Sequence, residues 1–222
     1  MIAIKNIAGC ARRTGSAAVF AISVLLLAGC GALPDRPARV TLYDFGPGPL
    51  AAPATSGAAA LAPITLADID SDARLDSAQL LYRLGYADAN ELRPYTASRW
   101  SAPPAQLVRQ RLRDTLAERR TVLGGLEAAN LARTEGRTPD LLRITLEEFS
   151  QYFESPGASV GLVKLRATLI RSSPGGERVL GQRQITVQRP APGADAAGGV
   201  KALVAATDAA VADVSAWIEQ VR

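Results

Sequence analysis

The chain has 222 residues, of which 48% are apolar and 21% charged, a composition typical of one globular domain with some appended sequence. It contains no histidine, the side chain that most often serves as a general base at neutral pH and as a ligand of transition metals. Serine–histidine hydrolases, zinc enzymes and haem proteins are therefore poor interpretations. Both cysteines, Cys10 and Cys30, lie close to the N-terminus, so no disulfide can hold the folded part together.

The N-terminus is typical of a secretory signal. Lys5, Arg12 and Arg13 precede a weakly polar to apolar run over residues 16–28. As a helix this run would be roughly 18 Å long, which is too short to cross a bilayer core of about 30 Å. The pattern therefore predicts an exported protein and not a membrane-spanning segment.

The apolar run ends in Leu27, Ala28, Gly29 and Cys30, and this sequence resembles the lipobox of bacterial lipoproteins. The resemblance implies a signal peptide over residues 1–29, cleavage before Cys30, and a covalent lipid that carries acyl chains such as palmitate on the Cys30 thiol. The similar residues 7–10 follow no apolar run, so we discard them as a second lipobox.

Cleavage before Cys30 changes the charge balance and indicates a location. It removes Lys5, Arg12 and Arg13, so the net charge falls from +4 to about +1, and no nucleic-acid partner is expected. Gly31 follows the cysteine where an aspartate would signal retention in the inner membrane. By analogy with that sorting rule, we expect a lipid anchor on the periplasmic face of the outer membrane.

After the signal peptide, the sequence predicts a tether over residues 30–39 and a single domain over 40–222. Residues 40–45 alternate as a first strand, and a mobile Ala/Pro-rich loop is predicted over 47–63. A second strand over 64–68, short extended pieces over 78–83 and 91–95, and a turn through Arg99 and Trp100 follow.

The rest of the domain predicts two amphipathic helices and a three-stranded meander. The first helix begins at Pro103 or Pro104 and ends near Arg120, and the second covers about 197–221. Between them, residues 141–153, 159–171 and 178–188 alternate as strands with one buried and one wet face. The fold class is therefore α+β, a mixed and largely antiparallel sheet with two amphipathic helices packed on one face.

Six segments of the chain carry a family resemblance: the lipobox, Leu75-Asp76, residues 81–83, residues 99–104, residues 149–159 and the Ala-rich last helix with Trp217. Together they resemble the auxiliary lipoprotein family of ABC-type transporters, to which the paraquat-inducible protein C lipoproteins belong. The resemblance covers essentially the whole mature chain. It implies a lipoprotein that accompanies a mammalian-cell-entry (MCE) type transporter, whose MCE-domain protein and inner-membrane permease and ATPase move phospholipid between the two membranes.

No motif indicates catalysis, a metal or a cofactor other than the lipid on Cys30. Asp68, Asp70 and Asp72 have the alternation that begins a calcium loop, but the glycine and the glutamate that complete such a loop are missing. Glu147 and Glu148 are adjacent on a predicted strand, so we expect them on opposite faces, where they could not flank one bond. The leading interpretation is thus a non-enzymatic subunit.

An aromatic and arginine set has two interpretations, core packing or a docking surface for a partner or a sister copy. Whether copies of the chain form a homo-oligomer stays open. A different functional class is a periplasmic lipid-binding carrier or chaperone that encloses an acyl chain, and a closed apolar cavity would favour it. The candidate interface residues are Tyr82, Arg83, Arg99, Trp100, Phe149, Tyr152 and Phe153.

Overall fold

A computed structural model of the protein describes residues 39–47, 61–136, 138–173 and 175–221. The predicted signal peptide, the lipobox, Cys30, the tether up to residue 38 and residues 48–60 of the predicted loop lie outside the described residues. Within the described ranges, no helix is long and apolar enough to cross a membrane.

Nine strands form one mixed sheet in the described part of the chain, and three helices accompany it. The strands are β1 (Thr41–Tyr43), β2 (Leu61–Leu66), β3 (Asp70–Ser71), β4 (Gln79–Leu84), β5 (Asp88–Trp100), β6 (Arg120–Leu123), β7 (Asp140–Ser155), β8 (Ala158–Ser173) and β9 (Gly176–Pro190). The helices are α1 (Pro104–Ala117), α2 (Gly125–Glu135) and α3 (Ala196–Gln220), and a 3₁₀ turn (Ala73–Leu75) follows β3.

The long strand β7 organises the sheet. One of its edges pairs with β8, which pairs in turn with β9, and both pairings are antiparallel as the predicted meander requires. Its other edge takes β2, β3 and β4 one after another, all parallel to it. The sheet then continues on two separate branches, β2 to β6 and β4 to β5 to β1.

A bulge in β7 divides its buried side chains into two registers. Leu142, Ile144 and Leu146 alternate into the core, but the next core position is Phe149, because the pairing with β8 shifts between Leu146 and Glu148. An antiparallel bulge inserts one unpaired residue and lets both sides of the kink keep their apolar side chains on one face. The kink leaves Glu147 and Glu148 together on the opposite face, which we call the open face.

The helix α3 lies very close to the sheet because small residues face each other. Ala202, Ala206 and Ala210 are fully or almost fully buried on α3, and Gly161 of β8 lies beneath Ala202. A Cβ atom on Gly161 would lie 2.4 Å from the Ala202 carbonyl carbon. The layer between α3 and the sheet is therefore filled by backbone and methyl groups.

The prediction of an α+β fold is confirmed, and so are both amphipathic helices. Three details were wrong. Residues 61–63 belong to β2 and not to the loop, Arg99 and Trp100 end a long strand and not a turn, and the sequence did not predict β6 or α2. A helical repeat of apolar residues does not predict α2, because most of its side chains are exposed, including Leu126 at 76%.

Candidate functional site

Two of the predicted interface residues lie in the core. Trp100 and Phe149 are each 1% exposed, and with Phe45 they form a buried aromatic trio whose ring centroids are 5.6 to 6.1 Å apart. Edge-to-face and stacked arrangements at these distances are typical of stable aromatic packing. Neither side chain can contribute to a docking surface on this fold, so of the two interpretations core packing applies to Trp100 and Phe149.

The buried side chain of Arg111 connects the aromatic trio to the helices. Arg111 of α1 donates to the Phe45 carbonyl oxygen at 2.5 Å, forms an ion pair with Asp208 of α3 at 2.9 Å, and lies 5.9 Å from the centroid of the Phe45 ring. The end of β1 is thereby tied to α1 and α3. This buried arginine was not a candidate in the sequence, where it stands among several arginines on one predicted helix.

Phe153 is also buried, but it borders a half-buried cluster of tyrosines. The rings of Tyr82 and Tyr95 are 4.6 Å apart, and the ring of Phe153 lies 5.9 Å from Tyr82. Tyr82 and Phe153 come from the neighbouring strands β4 and β7, and Tyr95 comes from β5. The register of these strands, Tyr82 beside Gln151 and Leu84 beside Phe153, places the rings side by side.

Tyr152 and Arg83 lie on the open face. The ring of Tyr152 rests on the backbone of Gly85, where a Cβ atom would lie 2.1 Å from the Tyr152 Cζ atom. Arg83 donates to the carbonyl oxygens of Ala89 and Asn90 at 3.2 and 3.3 Å and to Glu148 at 3.1 Å. Its donors are thus used within the fold, where they hold the β4–β5 hairpin against β7. The remaining predicted interface residue, Arg99, is exposed on β5 beside β1.

Four of the five tyrosines therefore gather where the β4–β5 hairpin meets the end of β7. Tyr86 occupies the turn of the hairpin and is 48% exposed. Tyr152 is half-buried on the open face, whereas Tyr82 and Tyr95 are half-buried on the face that carries α3. We call this end of the sheet the tyrosine end, defined by Tyr82, Tyr86, Tyr95 and Tyr152. Tyrosine combines a large rigid apolar ring with a polar tip, and it is enriched among the residues that dominate interface energies.

A hydrogen-bond chain holds Tyr95 in place. The Tyr95 hydroxyl donates to the side-chain oxygen of Gln151 at 2.8 Å, and the Gln151 amide donates to Ser159 at 2.8 Å. Gln151 is fully buried beneath Gly199 at the start of α3. Burial is the main cause that raises the pKa of Tyr95 to about 12, with smaller contributions from Tyr82 and Asp195. The ring thus stays neutral and fixed at physiological pH.

The open face carries a network around the β7 bulge. Glu147 accepts from Arg166, from Gln184 at 2.8 Å and from Lys164 at 3.2 Å. Burial alone would raise the pKa of Glu147, but these donors outweigh it and hold the pKa below its ordinary value. The expectation that Glu147 and Glu148 point to opposite faces was wrong, because a bulge breaks strict alternation.

The described residues show no arrangement that would hold a metal ion, since no group of three or more acidic or cysteine side chains converges. Two of the aspartates that alternate like the start of a calcium loop make local contacts. Asp68 pairs with Arg109 at 3.1 Å, and Asp72 accepts from the backbone of Arg74 at the 3₁₀ turn. Their side chains do not share a centre.

Two open grooves flank α1. One has a volume of about 780 Å³ and is lined in part by Asp68, Asp76 and Arg109. The other has a volume of about 550 Å³, and Asp44, Asp114, Glu118 and Asp208 are among its lining residues. Both linings also contain apolar side chains, such as Ile69 in the first groove and Phe45 in the second. Because both grooves are open and carry these charges, neither is the closed apolar cavity that would enclose an acyl chain.

A family model described as the ABC-type transport auxiliary lipoprotein component matches residues 43–219. The chain belongs to this family. The matched segment begins in β1 and ends in the last turn of α3, so the family resemblance drawn from the sequence is confirmed over the described fold. As an auxiliary lipoprotein component, the protein belongs to the proteins that accompany ABC-type transport.

Solved structures agree with the fold. The crystal structure of protein XCC0632 from Xanthomonas campestris is similar with a TM-score of 0.61 and 18% identity, over 73% of this chain and 87% of that one. A second crystal structure, of an uncharacterized protein, is similar with a TM-score of 0.56 and 12% identity, over 81% of this chain and 99% of that one. No curated protein matches the chain.

Proposed function

We propose that this auxiliary lipoprotein is a non-enzymatic subunit, anchored by a lipid on Cys30 to the periplasmic face of the outer membrane. There it receives the MCE-domain protein of a transporter whose permease and ATPase lie in the inner membrane and which moves phospholipid. The observation that carries the proposal is the family match over residues 43–219, nearly the whole folded domain. The lipobox sequence ending at Cys30 supports the anchor.

The partner docks on the tyrosine end. Tyr86 is exposed, the three other rings are half-buried, and the hydrogen-bond chain from Tyr95 through Gln151 to Ser159 fixes the Tyr95 ring before binding. Preorganised aromatic side chains lose little conformational entropy when a partner covers them. A docking surface built in this way binds without changing the fold.

The packing of the domain favours this function over that of a lipid carrier. A carrier needs a closed apolar chamber between helices and sheet. In the described residues that layer is filled: Leu142, Leu165, Ala206 and Val214 are all at most 1% exposed, and the two grooves beside α1 are open and charged. The acyl chain of a transported lipid is accordingly handled by the partner.

Site-specific photo-crosslinking in cells tests the docking surface. A photoreactive amino acid at position 86 should form a crosslink with the MCE-domain protein, whereas the same amino acid at Leu126, which is 76% exposed on α2, should not. In parallel, Tyr86→Asp should reduce co-purification of the MCE-domain protein at least several-fold, while Leu126→Asp leaves it unchanged. Equal crosslinking or equal co-purification at the two positions would refute the tyrosine end as the docking surface.

A further inference from the structure

The edge strand β1 and the residue just before it expose two apolar side chains that lie outside the core. Val40 is 43% and Leu42 is 66% exposed. Residues two apart on an extended chain point to the same side. Tyr43 packs against the core and pairs in register with the buried Trp100, whereas Leu42 pairs with the exposed Arg99. Leu42 therefore lies on the open face of a three-residue edge strand, and Val40 is the residue just before that strand, two positions before Leu42.

Exposed apolar side chains are common on proteins, and each one alone needs no explanation. These two are distinguished by where they stand in the chain. Val40 is ten positions after Cys30, and an extended chain covers at most about 3.3 to 3.6 Å per position. A lipid on Cys30 thus keeps β1 within roughly 35 Å of the bilayer surface, closer than any later strand is bound to be.

The charges beside the two side chains also fit a lipid surface. Arg99 is exposed and pairs in register with Leu42, and the exposed Arg39 immediately precedes Val40 in the chain. The nearest carboxylate along the strand, Asp44, accepts a hydrogen bond from the backbone of Gly46 and lines the groove beside α1 together with Glu118 and Asp208. Apolar side chains flanked by arginines are suited to a surface with an apolar interior and anionic headgroups.

We infer that Val40 and Leu42, flanked by Arg39 and Arg99, form a contact with the membrane surface, and that this contact orients the domain on the bilayer. The inference rests on the lipid anchor of the proposed function. Even one myristoyl chain gives only marginal and reversible membrane binding, so two such side chains orient the domain and do not hold it there. The opposite edge of the sheet then faces away from the membrane.

The chain is suited to a test by single labels, because its only cysteines are Cys10, which the predicted cleavage removes, and Cys30, which the lipid occupies. Leu42→Cys and Val179→Cys each introduce one free thiol for an environment-sensitive fluorophore. Val179 is a matched control: it is 59% exposed and lies on β9, five strand positions across the sheet and about 24 Å away at 4.8 Å per strand.

The labelled, lipidated proteins are inserted into vesicles of phosphatidylethanolamine and phosphatidylglycerol, with and without lipids that carry a quencher near the headgroup. The label at position 42 should emit at shorter wavelength and lose several-fold more fluorescence to the quencher than the label at position 179. Adding Arg99→Gln should reduce quenching at position 42. Equal quenching at the two positions, or a shielded label at position 42 that lipid does not quench, would overturn the inference.

Mass spectrometry of the N-terminal peptide separates the two proposals. If Cys30 carries acyl chains and the protein floats with vesicles, failure of quenching at position 42 overturns only the orientation. If Cys30 carries no acyl chain, both the anchor and the inferred contact are overturned.

Discussion

Replacement of Gly161 by alanine tests how closely α3 lies on the sheet. The new Cβ atom would lie 2.4 Å from the Ala202 carbonyl carbon and 2.5 Å from the Leu203 nitrogen, whereas ordinary contacts begin near 3.4 Å. Both neighbours are backbone atoms, so no side chain can rotate out of the way. The helix must shift by about 1 Å against a close-packed layer, and interiors of this density transmit such strain.

Overpacking of a core costs about 1 to 3 kcal/mol, and we expect the upper end because the obstacle is backbone. For a domain of this size the melting temperature falls by roughly 2 to 4 °C per kcal/mol, so a loss of about 6 to 12 °C is expected. Thermal unfolding of the Cys30→Ser protein, followed by circular dichroism, measures it. Gly157→Ala is the control, since nothing lies within 4 Å of its new Cβ atom. Equal losses in the two variants would refute the close packing of α3.

Three further predictions concern charged and polar groups. Arg111→Met should lower the free energy of unfolding by about 2 to 3 kcal/mol, because it removes a buried cation and its ion pair with Asp208. The control Arg109→Met removes a more exposed ion pair on the same helix and should cost less than about 1 kcal/mol, both values being measured by chemical denaturation. Because the folded chain holds the Tyr95 proton more tightly than the unfolded chain, stability should fall as the pH rises from about 10 to about 12, and Tyr95→Phe should remove that part of the decline in denaturation at several pH values. The lowered pKa of Glu147 contributes stability above the ordinary carboxyl pKa that is lost in acid, so Glu147→Gln should make the acid branch of the same curve less steep.

The periodic parts of the fold could be predicted from the sequence, and the parts that depend on distant pairing could not. The alternation of the three long strands and the apolar face of α1 follow from single side chains in local order. The three short strands β2, β3 and β4 find their partner β7 more than fifty residues later, and no local pattern records that parallel pairing. The bulge is visible as a change of spacing: the buried positions alternate up to Leu146, and the next one, Phe149, comes three residues later.

The sequence predicted which residue types form the candidate site, but not which of the side chains are buried. The predicted set contained Tyr82 and Tyr152 of the tyrosine end but not Tyr95. It could not separate Trp100 and Phe149, which pack with Phe45, from the two tyrosines, which are only half-buried. Tyr86 was not proposed, because it stands between the two extended pieces predicted over 78–83 and 91–95. Nothing in the local sequence records that the ring of Tyr152 rests on the preceding residue, Gly85.

The exchange Cys30→Ser, exported through a cleavable signal peptide, tests the central claim most directly. Without the thiol no lipid can be attached. The exposed side chains of Val40 and Leu42 offer too little apolar area to retain the domain on a bilayer. We predict a folded protein in the soluble periplasmic fraction that fails to complement loss of the native protein, because the transporter no longer meets it at the membrane. Full complementation by the soluble protein would contradict the account and favour a soluble lipid carrier.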